Sequence, residues 1–281
     1  RNFSNKLWNA FRLIQTLEVT DEGKDHSLAI DWINSRFNEV LNEVEDHFSK
    51  YRISDALLSL YTFIWDDFCS WYLEIIKDNS ISDKTHKGTL AVLDKILKAL
   101  HPFMPFITEE LWNQIDDNRD YIMLSDYPTP EKFDDSLNND FKKIFEIVTG
   151  LRKLKSDNKI KQIDVVEVMV NKKSEFDFIK YRDLIEKLSK TKDLEVVNEI
   201  PGNYPTLISG KDTLYLAIEK SEDSKEDTLK QIEYLEGFLK SVERKLSNKS
   251  FVDNAPESVV EIERKKRDDA VIKLENLKKS L

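Results

Sequence analysis

The chain has 281 residues, with 43 Lys and Arg against 53 Asp and Glu, so its formal net charge is −10. That length suits two or three modules rather than one small core, and 40% hydrophobic residues with only 6 Gly and 7 Pro place it on the helical side of globular composition. One cysteine, Cys69, excludes an intrachain disulfide and a cysteine-built zinc module, and no apolar run approaches the ~20 residues of a bilayer-spanning helix.

The first residues already follow a helical rhythm: Phe3, Leu7, Trp8, Phe11, Ile14 and Leu17 recur at three- and four-residue spacing. No capping residue precedes them and no secretory signal is present, so the chain is expected to be cut from a longer protein. Gly23 breaks the pattern, and a second helix is predicted over 25–51 on Leu28, Ile30, Trp32, Ile33, Phe37, Val40, Leu41, Val44 and Phe48. A third, capped by Ser54 and running to about Lys77, is expected to bury Leu57, Leu58, Tyr61, Ile64, Trp65, Phe68, Trp71, Tyr72 and Ile75. A fourth spans about 83–100 and stops at His101-Pro102, because the residue before proline is pushed out of helical geometry. Thr108 is expected to cap a short fifth helix through Ile115, with Glu109 and Glu110 at its positive end. Helices joined by short loops imply an up-and-down bundle over 1–128.

The character changes around Tyr127-Pro128-Thr129-Pro130. A helix at 138–157, a strand at 163–170 in which Val166, Val168 and Val170 alternate with Val165, Glu167 and Met169, and a helix near 174–189 are followed by a strand at 194–198. A turn at Pro201-Gly202-Asn203 and strands at 206–209 and 213–218 complete an α+β connector over 129–220. Beyond it, Leu229, Ile232, Leu235, Leu239, Val242 and Leu246 form a coiled-coil seam. Pro256 suits the first turn of another helix, and Val259, Ala270, Leu274, Leu277 and Leu281 supply a second seam. Over 221–281 the fold expected is an antiparallel coiled-coil hairpin, which carries 13 Lys and Arg against 14 Asp and Glu.

Local chemistry is sparse. The four histidines, His26, His47, His86 and His101, are too far apart to pair on one helix face, and no phosphate-cradling glycine loop or nucleophile elbow occurs. Asp66-Asp67 and Glu109-Glu110 are neighbours about 100° apart on a helix and read as structural charge rather than an acid–base pair. Trp65, Trp71 and Trp112 read as core, and Cys69 as a small buried hydrophobe. Cations cluster instead. Lys142, Lys143, Arg152, Lys153, Lys155, Lys159 and Lys161 face only Glu146 and Asp157 over 142–161. Arg1, Lys6 and Arg12 outnumber Glu18 at the start. Such residues serve equally as solvated faces or as phosphate contacts.

Three passages resemble one family. RNFSNKLWNAFR at 1–12 looks like the opening of the anticodon-binding bundle of valyl-tRNA synthetase. WDDFCSWYLE at 65–74 and HPFMPFITEELW at 101–112 are similar to signatures shared by the valine, leucine and isoleucine enzymes. KLSNKSFVDNAPESVVEIER at 245–264 looks like the hinge of the C-terminal helical hairpin peculiar to the valine enzyme. The resemblance covers the bundle and the hairpin, with 140–220 matching mainly by position, while the family's two nucleotide motifs and its editing domain have no counterpart here.

The resemblance implies a mainly α, non-catalytic tRNA-gripping portion of a class I synthetase. Its parent would use ATP to charge tRNA(Val); the portion itself takes no cofactor or metal. Its partners would be tRNA(Val) and the catalytic and editing domains of the same parent chain, with no membrane, in a cytoplasmic monomer. Arg1, Asn5, Lys6, Asn9, Arg12 and Leu13 would face the anticodon, although some relatives carry an aromatic residue where Leu13 stands. Arg152, Lys153, Lys155, Lys240, Arg244, Lys245, Arg264 and Arg267, with Lys265 and Lys266 beside them, would meet the tRNA backbone and elbow. Two rivals remain. A scaffold recruiting proteins through its coiled coil would explain the seams, and an isoleucine- or leucine-type portion would share the bundle signatures, although an isoleucine-type enzyme often ends in a cysteine-ligated zinc module.

Overall fold

The computed structural model describes residues 2–116, 118–198, 204–218, 222–247 and 257–279. Arg1, the turn expected at Pro201-Gly202-Asn203 and the hinge around Pro256 lie outside them. The chain divides into two compact units, Arg1–Lys143 and Ile144–Leu281, each described by itself. The described residues are mostly helical, with one small mixed sheet.

In the first unit, α1 (Asn2–Thr16) buries Leu7, Ala10, Phe11 and Ile14, the face its spacing predicts. The predicted break at Gly23 is an extended segment, β1 (Val19–Lys24), wrapped around Ile81: Ile81 donates its N–H to Glu18 O at 2.8 Å and Ser82 donates to Lys24 O at 3.0 Å. Glycine is required there by space, since a Cβ on Gly23 would stand 2.1 Å from the Ile81 carbonyl oxygen. Helix α2 (Ser27–Ser49) buries Trp32, Ile33, Phe37, Val40, Leu41 and Val44, while Leu28, read as apolar contact, is exposed.

The third predicted helix departs most from expectation. It runs as α3 (Ile53–Thr62), a π-helical wide-turn segment (Phe63–Tyr72) and α4 (Leu73–Ile76). Arg52, not Ser54, occupies the position before its first turn, and no side chain caps it. Leu58 and Tyr61 are exposed, and the buried positions of α3 are Ala56 and Leu60. One regular period fits Ile64, Phe68, Tyr72 and Ile75 but fails upstream, because the wide segment absorbs extra chain and moves the buried face. Helix α5 (Asp83–Leu100) starts as read, with Ser82 Oγ accepting the Thr85 N–H at 3.2 Å. Helix α6 (Pro105–Ile115) begins at a proline, so Thr108 is interior and fully buried; its hydroxyl bonds Met104 O at 2.9 Å and meets His101 Nδ1 at 2.7 Å instead of capping. Trp32 stacks on Phe141 at 4.6 Å, and the Tyr72 hydroxyl meets Thr89 Oγ1 at 2.7 Å, so this tyrosine is buried with its polar end paired.

Helix α7 (Asp135–Asp157) carries residues of both units. In the second unit the sheet order is β3-β2-β5-β4. The central β2 (Val166–Asn171) is parallel to β3 (Thr191–Val196) and antiparallel to β5 (Asp212–Leu216), which pairs antiparallel with β4 (Thr206–Ser209). Val168 and Val170 point into the core with Leu194, Leu214 and Leu216, as alternation requires. Helix α8 (Arg182–Ser189) is shorter than the predicted 174–189. The buried Asp212 carboxylate takes the N–H groups of Lys173 and Ser174 at 2.8 Å each, and holds that stretch as a loop. Two long helices, α9 (Glu222–Ser247) and α10 (Glu257–Lys279), pack against each other and bury Ile232, Val242, Val260 and Ala270.

Candidate nucleic-acid interface

With its apolar face fixed in the bundle, α1 turns the opposite stripe to solvent. Asn2, Asn5, Asn9, Arg12 and Thr16 are all exposed, at steps of three and four that keep them in one row. Among the described residues, the Asn5, Asn9 and Arg12 side chains have no hydrogen-bond or ion-pair partner, so amide and guanidinium groups stand ready for an external ligand. Amides offer donor and acceptor together, and the guanidinium adds a planar fork. Leu13 lies half-buried at the edge of this row.

Lys6 sits differently. Its ammonium donates to Trp65 O at 2.8 Å and to Ser70 Oγ at 2.9 Å, and lies 3.9 Å from the centre of the Trp65 ring. A column of rings continues from that point: Trp65 stacks on Tyr61 at 5.7 Å, and Tyr61 on Phe3 of α1 at 4.8 Å. Trp65 and Trp71, read as core, are half-buried, whereas Trp112 is core. Burial pushes the Cys69 thiol up to about 12, with Lys6 opposing, which keeps it protonated at neutral pH. Asp67, half-buried, receives Arg36 Nε at 3.0 Å, and burial still holds its carboxyl above the ordinary range; Asp66 is exposed. Asp67 is thus committed to Arg36 rather than to its neighbour.

The cations of 142–161 separate into distinct kinds. Lys142, Lys153 and Lys161 are exposed. Arg152 is half-buried, and its Nη2 and Nε donate to Leu188 O at 2.6 and 3.0 Å. Lys155 leaves the expected phosphate strip altogether. It is fully buried, and its ammonium is shared among the carbonyls of Gln162, Asp164, Ser189 and Lys190 at 2.7–3.4 Å. Burial lowers its pKa, with Asp164 opposing and Arg152 and Lys190 assisting.

On the long helices, Lys240, Arg244, Lys245, Arg264 and Lys265 are exposed and Arg267 half-buried. Lys245 Nζ lies 3.6 Å from Glu263, which brings the cations at the end of α9 beside those of α10. Arg267 Nη2 donates to Asp268 at 2.7 Å, and Lys266 to Glu263 at 2.7 Å, so these two are partly neutralised locally. Among the described residues, Lys240, Arg244, Arg264 and Lys265 have no ion-pair partner. Among the described residues, no group of three His, Cys, Asp or Glu side chains is placed to hold a metal, and no helix is long and apolar enough to cross a membrane.

Comparison with known proteins gives these surfaces a context. Residues 31–170 match the family described as the anticodon-binding domain of tRNA ligases. Residues 222–281, which include α9 and α10, match the valyl-tRNA synthetase tRNA-binding arm. The chain belongs to the valyl-tRNA synthetase family. Valine–tRNA ligase of Christiangramia forsetii is 38% identical over 99% of this chain, that of Phocaeicola vulgatus 36% over 100%, and that of Parabacteroides distasonis 33% over 100%. In each case the match takes 33% of the relative's own length, so the chain spans about a third of these valyl-tRNA synthetases. Helix α1 precedes the matched anticodon-binding range but falls within the full-length matches. Asn2 and Thr16, which extend the polar row, escaped the sequence reading; the three- and four-residue spacing of Asn2, Asn5 and Asn9 was their visible signal.

Proposed function

We propose that this chain is the tRNA-gripping portion of a valyl-tRNA synthetase, with a bundle (1–128) that recognises the anticodon of tRNA(Val), a connector (129–220) and an antiparallel coiled-coil hairpin (221–281) that meets the tRNA elbow. The observation that carries the reading is the row Asn5, Asn9 and Arg12, exposed and unpaired on a helix of a chain that also holds a synthetase anticodon-binding domain and arm. Single-stranded loops present unstacked base edges, and exposed amides are suited to them, while guanidinium and ammonium groups neutralise phosphates. Arg1, Lys6 and Leu13 flank that row in the sequence. Arg152 and Lys153, and on the hairpin Lys240, Arg244, Lys245, Arg264 and Arg267, are assigned to the tRNA backbone and elbow. The net charge of −10 supports a selective partner, because attraction is confined to patches. ATP-dependent charging with valine belongs to the parent enzyme's other domains, which are the remaining partners; a cytoplasmic monomer completes the proposal.

The test is equilibrium binding of the protein to a tRNA(Val) transcript and to the same transcript with a changed anticodon, at several salt concentrations. Tighter binding of the first, steep weakening with salt, and a roughly tenfold loss in Asn9→Ala with Arg12→Gln are expected. Equal binding of both transcripts with no response to the two substitutions would remove α1 from the interface.

A further inference from the structure

We infer that Lys6 is a positioning residue, one that sets the rotation of α1 and so aims the Asn5–Asn9–Arg12 row, rather than a cation that touches RNA; this rests on the α1 reading proposed above. In sequence Lys6 looks interchangeable with Arg12, since both are cations on the first helix. The geometry separates them. Arg12 is exposed and unpaired among the described residues, whereas two of the three N–H donors of Lys6 are engaged, one on Trp65 O and one on Ser70 Oγ. The charge itself rests on the indole face at 3.9 Å, a favourable place for an ammonium with part of its hydration removed.

The acceptors are supplied by the wide-turn segment. Trp65 O also accepts from Ser70 Oγ at 2.8 Å, a residue five positions on, so three groups close a small ring: ammonium, hydroxyl and main-chain carbonyl. One turn before Lys6, Phe3 stacks on Tyr61, and Tyr61 on Trp65. Helix α1 is thus held against the same aromatic column at two points, by a ring at Phe3 and a charge at Lys6. Two attachments one turn apart oppose rotation about the helix axis, and rotation is the motion that would swing the polar row away from a bound loop. A misaimed row loses contacts by displacement alone, since hydrogen bonds weaken steeply with misalignment.

Salt dependence separates the two roles. Each phosphate contact adds roughly 0.7–0.9 to the slope of log affinity against log salt. The protein and its Lys6→Met, Ser70→Ala, double and Arg12→Gln variants are titrated with a tRNA(Val) transcript from low to physiological salt, with folding checked by tryptophan fluorescence. Lys6→Met is expected to bind several-fold more weakly with the parental slope, and to narrow the preference over an anticodon-changed transcript. Ser70→Ala, which removes no charge and guards against misfolding of the lysine variant, is expected to act in the same direction. The double variant should lose little beyond Lys6→Met, because the two groups form one unit. A slope reduced by about 0.7–0.9 in Lys6→Met would make Lys6 a phosphate contact and overturn the inference, as would unchanged affinity in both single variants. Failure of the underlying reading is visible separately, as Asn9→Ala and Arg12→Gln variants that bind like the parent.

Discussion

Lys155 offers a demanding test of the second unit. Its ammonium is fully enclosed, and its three donors serve four carbonyls: Asp164 at 2.7 Å, Gln162 and Lys190 at 3.1 Å and Ser189 at 3.4 Å. These belong to the loop after α7 and to the entry into β3, so one side chain ties both to the helix. Lys155→Met keeps most of the aliphatic stem and removes every donor. Gln162, Asp164 and Lys190 are exposed residues whose carbonyls can turn to water, whereas Ser189 is fully buried, leaving one carbonyl unserved. At about 1–3 kcal/mol for that carbonyl, and with relief of the buried ammonium as an offset, the net loss is about 1–2 kcal/mol. All five tryptophans, at positions 8, 32, 65, 71 and 112, lie in the first unit. Their fluorescence is therefore an internal control, while far-ultraviolet circular dichroism and hydrogen exchange follow the second. Urea unfolding of Lys155→Met should show faster exchange of the Thr191–Val196 amides with an unmoved tryptophan transition. A loss below about 1 kcal/mol, or unchanged exchange in β3, would show that the four carbonyls do not depend on this ammonium.

Other perturbations give distinct readouts. Gly23→Ala places a Cβ 2.1 Å from Ile81 O, a backbone atom that cannot step aside, so a loss of about 1–3 kcal/mol or more is expected in the tryptophan-monitored transition. Asp212→Ala removes the acceptor of two N–H groups and of the Ser174 hydroxyl at 2.5 Å, and should cost about 2–4 kcal/mol and free the 172–181 loop to limited proteolysis. Cys69, raised by burial from 9.0 to about 12, should alkylate about a thousandfold more slowly at pH 8 in the folded chain than in the unfolded one. The same thiol and the Tyr72 and Tyr127 hydroxyls, both pushed up to about 12 by burial, hold their protons to higher pH when folded. Their stabilising contribution is complete below pH 9.0 and is lost as the pH climbs toward 12, so the first unit should weaken in that window on alkaline titration of tryptophan fluorescence.

Periodicity revealed the elements whose side chains alternate regularly between core and water. Helix α1 and strand β2 from Val166 on were legible for that reason, as was the start of α5 near Asp83, whereas 163–165, read as strand, precede it as a turn. Thr108 was misread because a capping hydroxyl was weighed above Pro105, whose ring already suits the first helical turn. Residues 174–181 were misread because their competing partner, Asp212, is remote in sequence. The site divides similarly. Asn5, Asn9 and Arg12 were named by resemblance together with Lys6 and Leu13, and nothing local distinguishes Lys6 or Lys155 from an ordinary surface lysine. Their acceptors lie at Trp65 and Ser70 in one case, and in a loop and strand in the other, and only tertiary packing brings them within reach.

The segment Phe63–Tyr72 has a bearing on how the family can vary. It stores surplus length inside a helix, where a loop would normally hold it, so its register is fixed at both ends. An ordinary helix closes each turn with fewer residues, so the rotation between the side chains before this segment and those after it depends on how many residues the segment holds. The burial of Phe68 and Tyr72, and the direction of the carbonyl that anchors the first helix, both depend on that rotation. Exposed positions in this stretch should therefore accept exchanges of side chain more readily than a change in the number of residues.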